Sequence, residues 1–155
     1  MTKKEFLDAL AEDVKHTLRD VYTKTITGNE AAVSVFKNRL PIVTEDEDDE
    51  SKFFPYAVVR LSEATTDEEQ PWIQKVYILL GVYDDSLMGE GYLHILTMME
   101  RITNRFIMEP LLDKKYRAQP QINTDIQDED TYPYYFGAIE MSFKLPKIER
   151  RDEFS

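Results

Sequence analysis

Three carboxylates of this chain lie where a divalent cation could be held. Asp84 and Asp85 directly follow the apolar segment 76–83, and Glu90 follows five residues later. Hard cations such as Mg²⁺ prefer clustered carboxylate oxygens. The pattern is therefore compatible with a metal-dependent or otherwise cryptic enzyme that uses Asp84 and Asp85. The alternative is an ordinary turn whose acidic side chains interact favourably with the positive end of the next helix dipole.

The same turn contains glycines whose spacing partly matches a dinucleotide-binding fingerprint. Gly89 and Gly91 lie between a predicted strand and a predicted helix, but His94 occupies the position of the third glycine. That third glycine allows close packing of the helix on the strand. The neighbouring carboxylates would also place negative charge where a pyrophosphate has to bind. The sequence therefore favours a strand-to-helix turn and predicts no cofactor.

The rest of the chain contains no catalytic pattern. There is no cysteine, which excludes disulfides, thiolate metal sites and a cysteine nucleophile. His16 and His94 have no serine or second histidine at a catalytic spacing, and no phosphate-binding loop, nucleophile elbow or zinc-protease motif occurs. The sequence thus predicts no catalytic residues, no resident metal and no enzymatic activity.

Charge and hydropathy limit the classes of partner. With 19 basic and 30 acidic residues the net charge is −11, which disfavours specific binding to nucleic acid phosphates or to anionic lipid. The longest apolar run, 76–83, is far shorter than the roughly 20 residues of a membrane-spanning helix. We therefore expect a cytoplasmic protein with no membrane contact.

Apolar periodicity predicts two helices. Residues 3–22 and 90–108 each carry one apolar stripe at helical spacing, and Pro110 ends the second helix. The predicted buried positions are Leu7, Leu10, Val14, Leu18 and Val21 in the first helix, and Tyr92, Ile95, Leu96, Met99, Ile102 and Phe106 in the second.

Strand patterns separate these helices. Residues 56–61 and 72–83 read as consecutive strands, and the second is apolar on both faces from 76 to 82, which predicts a central strand. The segment 31–40 is ambiguous between a strand and a short helix, and 116–127 is a weak strand interrupted by Pro120. A last strand alternates cleanly over residues 139–145.

This order predicts an α+β fold. We expect a single domain over residues 1–147, with a mostly antiparallel sheet of four to five strands and two long helices packed on one of its faces. Residues 148–155 are predicted to form a charged C-terminal tail.

Several segments together resemble one group of proteins. They are FFPYAVVRL at 53–61, LGVYDD at 80–85, the helix that begins GYLHIL at 91–96 and continues through Arg105 and Phe106, and YPYYFGAIE at 132–140. The layout, a long amphipathic helix between a strand pair and a terminal strand with a Y-x-x-G motif, resembles prophage-encoded tail-terminator or tail-completion proteins of long-tailed bacteriophages.

The resemblance implies a function in virion assembly. Such proteins are small α+β domains that close into a ring, typically a homohexamer, at the head-proximal end of the tail tube. They end tube growth and join the tail to the head connector. The resemblance thus implies three partners, namely further copies of the chain, the tail-tube protein and the head–tail connector protein. It also implies location first in the host bacterial cytoplasm and then in the virion.

Acidic clusters are the remaining candidates for a functional surface. Counting strand reversals places two of them, together with Asp84, Asp85 and Glu90, at one end of the predicted sheet and 67–69 at the other. In a ring, the paired clusters could face a channel that DNA traverses without sticking, or a basic partner surface. The alternative is a set of solvated loops. The candidate residues are Glu45, Asp46, Glu47, Asp48, Asp49 and Glu50 in the first cluster, and Asp128, Glu129 and Asp130 in the second.

Overall fold

The structure is a computed structural model that describes residues 3–44 and 49–147. Within these residues the chain forms two α-helices, one short 3-10 helix at Glu50–Phe53 and nine β-strands. The bounds are α1 Lys3–Thr17, β1 Tyr22–Lys24, β2 Glu30–Ala32, β3 Ser34–Lys37, β4 Tyr56–Thr65, β5 Trp72–Tyr83, α2 Gly91–Met108, β6 Leu111–Leu112, β7 Tyr116–Ala118, β8 Asn123–Ile126 and β9 Tyr134–Leu145.

The main sheet is larger than the sequence predicts. It contains seven strands in the order β3-β4-β5-β9-β7-β6, with β8 pairing separately with β9, while β1 and β2 form their own hairpin. The expectation of four to five strands was therefore wrong. The two segments of uncertain pattern both contribute strands, because 31–40 forms β2 and β3, and 116–127 forms β7 and β8 on either side of Pro120.

One strand pair also departs from the antiparallel pattern. β3 pairs with β4 in parallel, from Ser34 opposite Tyr56 to Lys37 opposite Val59, so the sheet is mixed. Parallel neighbours need a long connection, and residues 38–55 supply it. The other strand pairs within the described residues are antiparallel.

The helices pack on the same face of this sheet. The aromatic ring of Phe143 in β9 contacts Phe6 of α1 at a centroid distance of 5.2 Å and Phe106 of α2 at 5.3 Å. β5 lies between β4 and β9, as its doubly apolar pattern predicts. Its residues Val76 and Ile78 face the helices and pack into the same hydrophobic core.

The first helix is shorter than its apolar stripe indicates. α1 ends at Thr17, although Leu18 and Val21 beyond it are both buried in the core. A single tight turn, closed by the Val21 N–H donating to the Leu18 carbonyl at 3.0 Å, brings the chain into β1. Because both residues are apolar and buried, they continue the helical spacing of apolar residues beyond the end of the helix. The sequence therefore predicted a helix that is too long.

α2 matches its predicted range to within one residue, with three changes at its buried face. Leu96, which was predicted to be buried, is only half-buried. Ile95, Met99, Ile102 and Phe106 are buried as predicted, and Met98 is buried as well. Tyr92, by contrast, was wrongly predicted to be buried: it lies in the first turn of the helix and is exposed. The core therefore begins one turn into the helix.

A charged clasp joins the two helices. Arg105 of α2 donates from Nε and Nη2 to the Asp13 carboxylate of α1, at 3.1 and 2.9 Å, and both side chains are largely buried. The Nη2 atom also donates to the Leu111 carbonyl at 3.0 Å. A two-pronged contact of this kind fixes the orientation of both partners as well as their separation. No helix in the described residues is long and apolar enough to cross a membrane.

Candidate functional site

Asp84, the first carboxylate of the predicted metal site, is buried and already has partners. Its N–H donates to the Pro133 carbonyl at 2.9 Å, and its Oδ1 accepts from the Ser86 N–H at 2.8 Å. Its Oδ2 lies 3.2 Å from Nε2 of His94, which α2 carries in its first turn. The carboxylate thus links the end of β5 to the loop before β9 and to the start of α2.

The other two carboxylates point elsewhere. Asp85 Oδ1 pairs with Lys24 Nζ of β1 at 3.3 Å, and the Asp85 carbonyl accepts from the Tyr132 hydroxyl at 2.6 Å. Glu90 is exposed at the start of α2 and makes no side-chain cap hydrogen bond. Asp84, Asp85 and Glu90 are therefore not brought together, and the described part of the chain contains no group of three or more acidic or histidine side chains arranged to hold a metal ion.

The glycines of this turn have conformational and packing roles. Gly89 adopts a φ of +66°, a left-handed conformation that glycine tolerates best. Gly91 lies directly under the ring of Tyr135, and a Cβ at this position would overlap that ring. Burial raises the pKa of the Tyr135 hydroxyl, and the negative charge of Asp84 raises it further. Gly91 therefore allows close packing of β9 against α2, whereas Gly89 allows the left-handed backbone of the turn.

The acidic clusters lie at the sheet end that the count of strand reversals gives, as far as the structure describes them. Asp49 and Glu50 precede β4, and Asp128, Glu129 and Asp130 precede β9. Tyr56 pairs with Gly81, and Tyr134 with Tyr83, so β4 and β9 both begin where β5 ends. The turn at 67–69 joins the opposite ends of β4 and β5. Glu45, Asp46, Glu47 and Asp48 lie outside the described residues.

The sheet face away from the helices carries a second, smaller apolar cluster built around Phe54, Tyr56 and Val58. Phe54 contacts the rings of Tyr56 and Tyr134 at centroid distances of 4.9 and 5.0 Å. Burial, with a contribution from Glu50, raises the pKa of Tyr56 to about 12. Tyr56 also borders a cleft of about 480 Å³ that residues 125–129 close on one side. This face is thus aromatic and has acidic residues along its rim.

Large apolar side chains are exposed at both ends of α2. Leu87 and Met88, in the turn before the helix, are 93% and 78% exposed. Ile107 and Met108, in its last turn, are 67% and 84% exposed. An 18-residue helix spans about 27 Å, so these two apolar sites are well separated.

Neither of these sites was predicted from the sequence. The apolar pair in a turn otherwise made of Asp, Ser, Gly and Glu was the available signal for Leu87 and Met88. Ile107 and Met108 lie off the buried stripe of α2, and this was the corresponding signal at the other end. Such residues commonly mark contacts with another molecule when they occur in groups.

Comparison with known proteins adds no assignment. No protein-family model matches this chain, and no curated protein matches it at a significant level. The candidate site is therefore defined by the geometry of the 84–90 turn, the two ends of α2 and the acidic end of the sheet.

Proposed function

We propose that this chain is a structural virion-assembly protein, the subunit of a tail-terminator ring that ends tail-tube growth and joins the tail to the head connector. The resemblance of four segments to such proteins supplies the biological setting. The observation that carries the proposal is the pair of exposed apolar sites at opposite ends of α2.

A ring requires two different surfaces on every subunit. In a closed ring with more than two members, each contact joins one surface of a subunit to a second, different surface of its neighbour. A twofold dimer, by contrast, uses the same patch twice. Leu87 and Met88 at one end of α2, and Ile107 and Met108 at the other, supply two separate apolar patches on one chain.

The acidic end of the sheet fits the same assignment. Asp49, Glu50 and residues 128–130 precede neighbouring parts of one sheet edge, so like charges are held within a few Debye lengths of about 8 Å each. Because these like charges repel one another, their clustering costs free energy, and this cost is consistent with a functional role for the cluster. In the proposed ring they line the DNA channel, where carboxylates repel phosphate, or they meet a basic surface of the head connector.

The proposal specifies partners and places. Its subunits contact further copies of the chain, the tail-tube protein and the head–tail connector protein. They do not bind nucleic acid specifically, and DNA passes through the ring. Assembly takes place in the cytoplasm of the bacterial host, and the finished ring stays at the head-proximal end of the tail.

Deletion of the gene in the phage that carries it tests this function. We expect tail tubes of uncontrolled length and heads that remain without tails, both visible by negative-stain electron microscopy. Expression of the wild-type chain from a plasmid is the matched control and should restore joined virions. Tails of normal length attached to heads in the deletion strain would contradict the proposal.

A metal titration tests the competing enzyme hypothesis. We expect Mg²⁺ and Mn²⁺ to leave the melting temperature of the wild-type chain unchanged, because Asp84 and Asp85 are engaged by His94 and Lys24. The variant Asp84→Asn/Asp85→Asn is the control. A metal-dependent rise in melting temperature that vanishes in this variant would favour a metal-dependent enzyme.

A further inference from the structure

A cleft of about 490 Å³ lies beside the C-terminal end of α2, where the helix meets β7 and β9. We call it the α2 cleft. Its lining is mainly apolar and contains three prolines, whose rings are rigid. The apolar residues are Pro71, Phe106, Ile107, Pro110, Ala118, Pro120 and Ile122. Ile107 is the same residue whose exposure marks this end of the helix.

Two basic side chains border the α2 cleft and have no acidic partner among the residues that the structure describes. Arg117 of β7 and Lys144 of β9 are both exposed and directly opposite each other in the strand register. Like charges opposite one another on neighbouring strands are destabilising. No carboxylate in the described residues lies within ion-pair distance of either group, so this pair would gain from an acidic group supplied from outside.

The 84–90 turn is apolar and acidic, so its composition is complementary to that of the α2 cleft, and hydrogen bonds define its shape. The Ser86 hydroxyl oxygen accepts from the Met88 N–H at 3.2 Å, and the Asp84 carboxylate accepts from the Ser86 N–H. These contacts hold the backbone on both sides of Leu87. The turn therefore presents Leu87 and Met88 to solvent from a braced backbone, so little conformational entropy has to be lost when they bind.

Glu90 adds the matching charge. It follows the apolar pair in the turn, is exposed, and has no ion-pair partner in the described residues. The turn and the α2 cleft of a single chain lie at opposite ends of α2, about 27 Å apart. They cannot meet within one molecule, but they can meet between two.

We infer that the 84–90 turn of one copy inserts into the α2 cleft of the next copy, with Leu87 and Met88 against the prolines and Ile107, and with Glu90 facing Arg117 and Lys144. This inference rests on the proposed function, because it identifies the two surfaces that the ring contact would use. Charge complementarity between an acidic apolar turn and a basic-rimmed apolar cleft selects a second copy of this chain as the occupant.

Two complementary variants test the contact. Leu87→Ser/Met88→Ser removes the turn's apolar side chains, and Arg117→Glu/Lys144→Glu reverses the charge at the cleft. Each is compared with the wild-type chain by sedimentation velocity, with circular dichroism as the folding control. We expect each variant alone to weaken self-association at least about a hundredfold. The first variant loses two large apolar side chains from the contact, and the second places like charges against Glu90.

Mixing the variants gives a sharper outcome. An equimolar mixture retains one intact turn and one intact cleft, so it should form 1:1 pairs that grow no further. If the wild-type chain assembles and either variant assembles equally well, the inference is overturned while the ring proposal stands. If the wild-type chain itself stays monomeric at every concentration, the ring proposal fails with it.

Cross-linking identifies the surfaces directly, because the natural chain has no cysteine. Met88→Cys mixed with Ile107→Cys should give a covalent dimer with a bismaleimide much shorter than α2. Glu100→Cys, on the exposed face of α2 between its two ends, replaces Ile107→Cys as the matched control and should give none. Equal cross-linking of both mixtures would overturn the inference.

Removal of residues 148–155 tests another occupant of the cleft. We expect assembly and the cross-link between Met88→Cys and Ile107→Cys to persist in the shortened chain. Loss of assembly on this removal, with Leu87→Ser/Met88→Ser assembling like the wild-type chain, would assign the cleft to the C-terminal segment and overturn the inference.

Discussion

The middle of α2 and its two ends follow different rules. In the middle, large apolar side chains are buried, and the exposed positions between them are polar or charged. At the ends, large apolar side chains of the preceding turn and of the last helical turn lie in solvent. The apolar side chains in the middle of α2 therefore pack within the fold, whereas those at its two ends have no packing partner among the described residues.

This difference separates folding from association. Burial of one large apolar side chain stabilises a fold by about 1.5–3 kcal/mol. Each buried side chain in the middle of α2 makes a contribution of this kind to the core. The exposed residues at the ends contribute almost none of this within one chain. They can contribute it only when another molecule covers them, so changes in the middle should affect unfolding and changes at the ends should affect assembly.

Loss of a buried side chain in the middle of α2 should reduce the free energy of unfolding more than any other change considered below. Ile102→Ala leaves a cavity next to the sheet and should lower the free energy of unfolding by about 2–5 kcal/mol, measured by urea denaturation. The exposed neighbour Asn104→Ala is the control and should change it by less than about 0.5 kcal/mol. Equal effects of the two substitutions would mean that the stripe does not define the core.

A smaller effect is expected where the middle of the helix gives way to the N-terminal end. Gly91→Ala forces a methyl group into the Tyr135 ring, and the strain should cost about 1–3 kcal/mol by the same measurement. In a Tyr135→Ala background the space is free, so the cost should largely disappear. A cost that persists there would point to the helix backbone instead of the ring as its cause.

The clasp between the helices should have a similar or slightly smaller effect. Arg105→Gln removes the two-pronged contact and leaves the largely buried Asp13 carboxylate without its partner, which should cost about 1–3 kcal/mol of unfolding free energy. Arg105→Lys keeps the charge but not the planar fork, so it should restore only part of this loss. Complete restoration by lysine would show that charge alone is sufficient.

The smallest effect on folding is expected at the exposed ends. Leu87→Ser/Met88→Ser should change the unfolding free energy of the dilute chain by less than about 0.5 kcal/mol, because neither side chain packs against the core. Thermal denaturation at low protein concentration measures this. A loss comparable with that of Ile102→Ala would mean that the turn belongs to the folded core, which would remove the contrast between the two regions.

Strong local patterns were enough to predict the central elements. β5 occupies 72–83 as expected, because its apolar residues on both faces and the proline before it define its limits. α2 is equally well predicted, because one stripe and Pro110 bound it. The parallel pairing of β3 with β4 was not predictable, since it joins segments some 20 residues apart whose short patterns do not reveal a partner.

The candidate site was only partly predictable for a different physical reason. Sequence spacing brought Asp84, Asp85 and Glu90 into one short segment, but it could not give the directions of their side chains. His94 and Lys24 approach two of these carboxylates from separate elements, and these contacts exist only in the folded chain. The exposure of Leu87 and Met88 depends likewise on what the rest of the fold leaves uncovered.

Native mass spectrometry of the wild-type chain across the micromolar range decides whether the chain forms a ring. We expect one closed assembly of more than two copies, with six copies of the 18.2-kDa chain as the expected ring, and its loss in Leu87→Ser/Met88→Ser. A wild-type chain that remains monomeric throughout, or that stops at a stable twofold dimer, would show that it does not form such a ring.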